Sequence, residues 1–202
     1  MKSIWSTLKR LLSVEAAEAD TSHPLVFRVL QNVHRAFVGA DVRHAIIGGL
    51  ALGALGAPRL TNDVDLLVAE EDRERAAAVL ARLGFEKLDT NETFSSFILD
   101  IYVRVDLLHA RRAYTRAMLR DATTIPYRGL DIAVVRPEDL IGLKLQAIKN
   151  RPERPYDRGD IERVIAHYAD RLDIERIRNY CDHLGLAHEL EWIKARIAAT
   201  AR

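Results

Sequence analysis

A chain of 202 residues, 49% apolar and 29% charged, is long enough to bury the core of one domain, or of one domain with a helical appendage. Its net charge of +1 argues against a broad electrostatic sleeve for nucleic acid, which needs a strong basic excess. The single cysteine, Cys181, excludes an internal disulfide, and no run approaches the roughly 18 apolar residues of a membrane span. A cytoplasmic protein with no membrane partner is expected.

Residues 1–20, "MKSIWSTLKRLLSVEAAEAD", place Ile4, Trp5, Leu8, Leu11 and Leu12 at helical spacing. Lys9 and Arg10 interrupt any secretion-signal core, so a helix packing on its own domain or on a partner subunit is expected. The apolar stripe of Leu25, Phe27, Leu30, Val33 and Phe37 predicts a second helix over 23–40, ended by Gly39. "VRHAIIGG" predicts a short strand, "LALGALGA" a small-residue helix ended by Pro58, and "NDVDLLV" the next strand. Residues 70–85 carry acids first and arginines later, the order a helix dipole favours, with Gly84 as the stop. A strand or hairpin is predicted at 94–110, a helix at 111–120, and two short strands flank Arg128 and Gly129.

From Pro137 only helices are predicted, two of them opening on "DIER" with Asp160 and Asp173 as N-caps. The expected division is N-terminal helices over 1–40, an α/β (α+β) core with a small mixed sheet over 41–136, and a C-terminal helical region over 137–202.

The chemistry concentrates in "NDVDLLV". Alternation along a strand sends Val64, Leu66 and Val68 into a core and leaves Asp63 and Asp65 together on the other face, about 7 Å apart or less. Two carboxylates so close repel unless a cation, basic side chains or open water compensates them. A third acid, Asp106, occupies the same kind of position in "IYVRVDLLHA", where Val103, Val105 and Leu107 face the core. Desolvating three carboxylates without a cation is severely unfavourable, so a divalent metal is the simplest compensation. Upstream, Gly48 and Gly49 end a strand and open a helix, where backbone N–H groups can meet phosphate.

Gly48-Gly49, thirteen intervening residues, "DVD" at 63–65 and "VDL" at 105–107 together resemble the polymerase-beta-like nucleotidyltransferase superfamily. The approach "PRLTNDVD", with Arg59 and Thr61 before the acid pair, is most similar to AbiEii-type minimal nucleotidyltransferases of bacterial defence and toxin–antitoxin systems. The resemblance covers roughly residues 42–160. It implies a nucleotidyltransferase core moving an NMP from an NTP such as ATP to an acceptor hydroxyl. It also implies that Asp63, Asp65 and Asp106 are the catalytic acids and ligands of a two-metal Mg²⁺ site, with Mn²⁺ as a substitute. Asp106 doubles as general base. Gly48, Gly49, Arg59, Thr61 and Lys144 are expected at the nucleotide. Gly49 departs from the Ser that many members carry there.

The acceptor is the least specified part. Arg112, Arg116 and Arg120 recur every four residues after Asp106, and Lys149, Arg151, Arg154 and Arg158 add a second basic segment. A basic stripe starting near the metal would suit RNA, a tRNA end for example, whereas a cationic antibiotic would want an acidic pocket. The competing classes are a small-molecule (antibiotic) nucleotidyltransferase and a non-catalytic nucleotide-binding or antitoxin module, with a partner protein of a toxin–antitoxin pair.

Overall fold

The computed structural model describes residues 24–99, 103–153 and 156–200. The helix expected over 1–20, Tyr102 and Arg154 lie outside them. Helix α1 (Leu25–Gly39) buries Phe27, Leu30, Val33 and Phe37 of the expected stripe and adds Val29, while Leu25 in its first turn is exposed. Strand β1 (His44–Ile46) leads straight into the short helix α2 (Gly48–Ala54), and β2 (Asp63–Ala69) follows after an irregular segment. A single 3-10 turn, Glu70–Asp72, precedes α3 (Arg73–Arg82), which is stopped by Gly84 at φ +94°.

Next come β3 (Glu86–Thr90), β4 (Phe94–Leu99) and β5 (Val103–Ala110), a meander whose last two strands form the hairpin expected over 94–110. Helix α4 (Ala113–Arg120) connects to β6 (Thr123–Tyr127) and β7 (Leu130–Val134). Their two-residue turn puts both Arg128 (φ +50°) and Gly129 (φ +78°) in left-handed backbone, the conformation of a tight hairpin.

The strands form one seven-stranded mixed sheet in the order β3-β4-β5-β2-β1-β7-β6. β2 and β5 run parallel at its centre, while β1 lies antiparallel to β2 and parallel to β7. Val64, Leu66, Val68, Val105 and Leu107 are buried together with residues of α1 and α3. From Pro137 the chain is helical: α5 (Pro137–Asn150), α6 (Tyr156–Tyr168), α7 (Ile174–Leu184) and α8 (Ala187–Thr200).

One strand and one helix start differ from the sequence expectation. Strand β3 has no counterpart in the sequence reading, because all five of its residues are exposed and it carries no apolar alternation. Asp160 does not cap a helix; α6 starts four residues earlier, at Tyr156, and Asp160 is buried within it. Asp173 is a cap, its carboxylate accepting from the Arg176 N–H at 3.1 Å.

Candidate active site

Parallel pairing of β2 with β5 sets Asp65 directly opposite Asp106, and Asp63 opposite Arg104. Residues paired in register point to the same side of a sheet, so the three aspartates share one face with Arg104. The register continues across the meander, Ser96 opposing Asp106 and Asp89 opposing Ser96. A polar row Asp89–Ser96–Asp106–Asp65 therefore crosses four strands. Beside it runs a second row, Glu86–Ile98–Arg104–Asp63.

Asp65 is only slightly exposed, and burial together with the Asp106 charge pushes its pKa up to about 6, against the opposing pull of Lys144 and the Gly49 N–H. Asp106 is also raised, chiefly by burial, and is opposed by a hydrogen bond from Ser96 and by the Arg104 charge. The Ser96 hydroxyl donates to Asp106 Oδ1 at 2.6 Å. Ser96 was not singled out by the sequence reading. Its signal is the alternation of "FSSFIL", which puts it on the face opposite Phe97 and Leu99.

Gly48 and Gly49 are used by the chain itself. Gly48 sits at φ +63°, and a Cβ there would lie 2.0 Å from Asp65 Oδ2; a Cβ on Gly49 would lie 2.7 Å from Thr61 Cβ. Glycine at 48 thus satisfies both the left-handed turn and the close approach of the carboxylate. The Asp65 carboxylate accepts from the Gly49 N–H at the opening of α2, so Asp65, Gly48, Gly49 and Thr61 form one packed unit.

Arg59 and Lys144 are brought together by a buried acid that the sequence assigned to a cap. Asp160 accepts from Arg59 Nε at 2.7 Å and Nη2 at 3.2 Å, and pairs with Lys144 Nζ at 2.7 Å. Lys144 also donates to Asp157 at 3.0 Å. Lys144 lies close enough to lower the pKa of Asp65.

The donor chemistry suits a hard cation: carboxylate oxygens on one face, mutually repelling, with the nearby lysine already committed to two other acids. Among the described residues, however, no three His, Cys, Asp or Glu side chains converge as a metal-ligand cluster. Asp65 is turned to the Gly49 N–H and Asp106 to Ser96, so the expected Mg²⁺ triad of Asp63, Asp65 and Asp106 is a common sheet face and not an assembled shell.

The basic stripe is elsewhere. Ala110 pairs with Ala69, four residues along β5 from Asp106, or about 13 Å at strand rise, and α4 begins beyond it. Arg112 stands at the helix N-cap, Arg116 lies near Glu71 and Arg120 pairs with Asp121. The stripe does not start at the acids because the whole C-terminal half of β5 intervenes. In the second basic segment, Lys149 donates to the Leu184 carbonyl and Arg158 pairs with Glu189.

A sequence model of the family described as uncharacterised nucleotidyltransferases matches residues 4–199. The chain belongs to this family. No curated protein matches it significantly. Among solved structures, this nucleotidyltransferase is similar to ANT(2″)-Ia in complex with adenylyl-2″-tobramycin, at 18% identity over 86% of this chain and 97% of that one, with a TM-score of 0.53. An antigenic nucleotidyltransferase-like protein from Paracoccidioides brasiliensis gives 19% identity, 85% and 91% coverage and a TM-score of 0.55. The lincosamide antibiotic adenylyltransferase LnuA, lincomycin-bound, gives 12%, 67% and 93%, and 0.51. These likenesses establish the fold expected from the Gly48-Gly49 and acid pattern. Among the described residues no helix is long and apolar enough to cross a membrane.

Proposed function

We propose that this nucleotidyltransferase moves a nucleoside monophosphate from an NTP, ATP first among candidates, to an acceptor hydroxyl in a Mg²⁺-dependent reaction. The observation carrying this reading is the register match of Asp65 with Asp106, with Asp63 on the same face. In this proposal Asp63 and Asp65 hold the ions that grip the triphosphate, and Asp106 holds the ion beside the acceptor. Bound Mg²⁺ supplies charge neutralisation on the triphosphate and polarisation of the α-phosphate. The side chains do the rest. The Ser96 hydroxyl engages one lone pair of Asp106 Oδ1, leaving the other for the ion and Oδ2 to take the acceptor proton. When Asp65 turns from the Gly49 N–H, that donor is released for a phosphate oxygen. Arg59 and Lys144, held by Asp160, add positive charge toward the departing pyrophosphate.

For the acceptor, the polar rows favour a small molecule. Extending outward from Asp106, the face adds Glu86 and Asp89 against one cation, Arg104, a field that attracts an amine-bearing alcohol and repels an RNA backbone. Two fold neighbours, one holding adenylyl-2″-tobramycin and one lincomycin-bound, are in keeping with an acceptor of that size. The AbiEii-type toxin–antitoxin setting and its partner protein rest on Arg59 and Thr61 before the acid pair, and the RNA acceptor rests on the two basic segments, of which the Arg112–Arg116–Arg120 stripe lies away from the acids.

The test is label transfer from each α-³²P-NTP with Mg²⁺, offered amine-bearing alcohols, total RNA and protein extract in parallel. Label on the amine-bearing alcohol is expected. Label confined to RNA would reverse the acceptor assignment, and no label on any acceptor would leave the non-catalytic module as the surviving class.

A further inference from the structure

At the opposite end of β2 and β5 from the carboxylates, a cleft of about 550 Å³ opens between β1, the turn after β2 and α4. Its polar lining is Arg43, His44, Glu71, Arg116 and Arg120, over an apolar floor that includes Leu119. The reaction proposed above uses none of these residues. Three guanidiniums converge on a cleft whose lining holds one carboxylate, Glu71, and that carboxylate is already shared: Arg43 donates to it and Arg116 Nη1 lies 3.8 Å from it; Arg43 Nε also lies 3.5 Å from Asp72, buried behind the cleft. All three side chains are half or more exposed, and ion pairs so placed contribute little to folding. A group held this weakly between two guanidiniums is replaceable by another oxyanion, and the planar arginine fork suits phosphate as well as carboxylate. Arg120 reaches Asp121 at 2.9 Å but also lines the cleft.

We propose that this cleft is a second anion site, in which the phosphate of a phosphate-bearing ligand takes the place of the Glu71 carboxylate between Arg43 and Arg116. Glu71 is then an internal competitor that keeps the site closed to weak anions. The phosphate belongs either to a free nucleotide or to an RNA backbone; the chemistry at the arginines is the same. His44 supplies the local reporter. Its Nδ1–H donates to the Val42 carbonyl at 2.7 Å, which leaves Nε2 to accept from His34 Nδ1–H at 2.9 Å. The ring is thereby fixed at the wall of the cleft.

The experiment titrates inorganic phosphate into the full chain in EDTA and follows the His44 imidazole resonances by NMR. A saturable shift is expected, with affinity about tenfold weaker in Arg116→Gln, as loss of a charge-assisted hydrogen bond implies, and several-fold tighter in Glu71→Gln. Nucleotide transfer by both variants should match the parent. Absence of a saturable shift, or equal affinity in the two variants, overturns the site. Displacement of phosphate by ATP assigns the ligand to free nucleotides and displacement by a short RNA assigns it to RNA; displacement by neither overturns the proposal.

Discussion

Asp65 and Asp106 oppose one another across the parallel ladder of β2 and β5, and both have pKa values raised by burial. The Asp106 charge raises Asp65 further. The fold thus holds two carboxyl groups where ionisation of one hinders ionisation of the other. A cation entering this face would relieve a repulsion already built into the sheet.

In EDTA, stability should depend on the protonation of Asp65. Asp65 has a folded pKa of about 6 against an ordinary value of 3.8. Between about pH 4 and 6 the native state keeps a proton that the unfolded chain has released, so this stabilisation is complete below pH 4 and lost as pH rises through 6. Asp65→Asn cannot ionise. It should therefore exceed the parent in stability at pH 8 by on the order of 2 kcal/mol and approach it at pH 4. Urea denaturation at the two pH values measures this, and equal stabilities at pH 8 would refute it.

Mg²⁺ competes with the same proton. The rise in Tm on adding Mg²⁺ should be larger at pH 8 than at pH 5, where Asp65 is mostly protonated, and should shrink in Asp65→Asn. Differential scanning calorimetry of both proteins gives the answer without reference to activity. A Tm that ignores Mg²⁺ at pH 8 would count against carboxylate ligation.

The pieces legible in the sequence were those with a period or a turn signal. "NDVDLLV" announced a strand with two acids on one face, and β2 is that strand; "IIGG" announced a strand passing into a helix, which is β1 and α2. β3 escaped because an exposed edge strand has no apolar alternation to detect. The pairing of Arg59 with Asp160 escaped for another reason. Arg59 and Asp160 are 101 residues apart, and no local pattern encodes a pairing at that separation. The arginine stripe was read at its correct spacing but given the wrong neighbour, since sequence proximity to Asp106 ignores the length of the strand between them.

Ser96 tests whether Asp106 is positioned as well as present. Ser96→Ala removes the hydroxyl that donates at 2.6 Å to Oδ1 and leaves a partly buried carboxylate less well solvated, so the Asp106 pKa should rise further. The acid limb of the kcat profile should move to higher pH and kcat at neutral pH should fall by about tenfold, with NTP affinity little changed. Ser96→Thr should restore part of the loss. An unshifted pH profile in Ser96→Ala would mean the hydroxyl serves packing alone.

Asp160 carries the charge that holds two cations. Its side chain is 2% exposed, and it pairs with Arg59, 28% exposed, and Lys144, 14% exposed. Asp160→Asn keeps the shape but leaves Arg59 without its carboxylate and Lys144 with Asp157 only. Breaking one side of a largely buried ionic cluster costs about 3 kcal/mol. KM for the NTP should rise more than kcat falls, because the loosened cations serve binding. Unchanged urea stability together with unchanged KM would show that the cluster neither stabilises the fold nor aligns Arg59 and Lys144.

Gly48 is the position where geometry is least forgiving. A methyl group there would stand 2.0 Å from Asp65 Oδ2, 2.6 Å from Cγ and 2.8 Å from Cβ, on backbone already at φ +63°. Two costs add: about 1 kcal/mol or more for a non-glycine residue in the left-handed region, and displacement of the carboxylate that accepts from the Gly49 N–H. Gly48→Ala should therefore lose stability by about 2 kcal/mol and lose transfer by a far larger factor than stability alone accounts for, since the shifted group is the proposed metal ligand. Combining it with Asp65→Asn separates the effects. If Asp65 is the group displaced, the Gly48→Ala substitution should cost little further activity in the Asp65→Asn background, a coupling that a double-mutant cycle reads directly. Additive losses would mean that Gly48 acts through something other than Asp65.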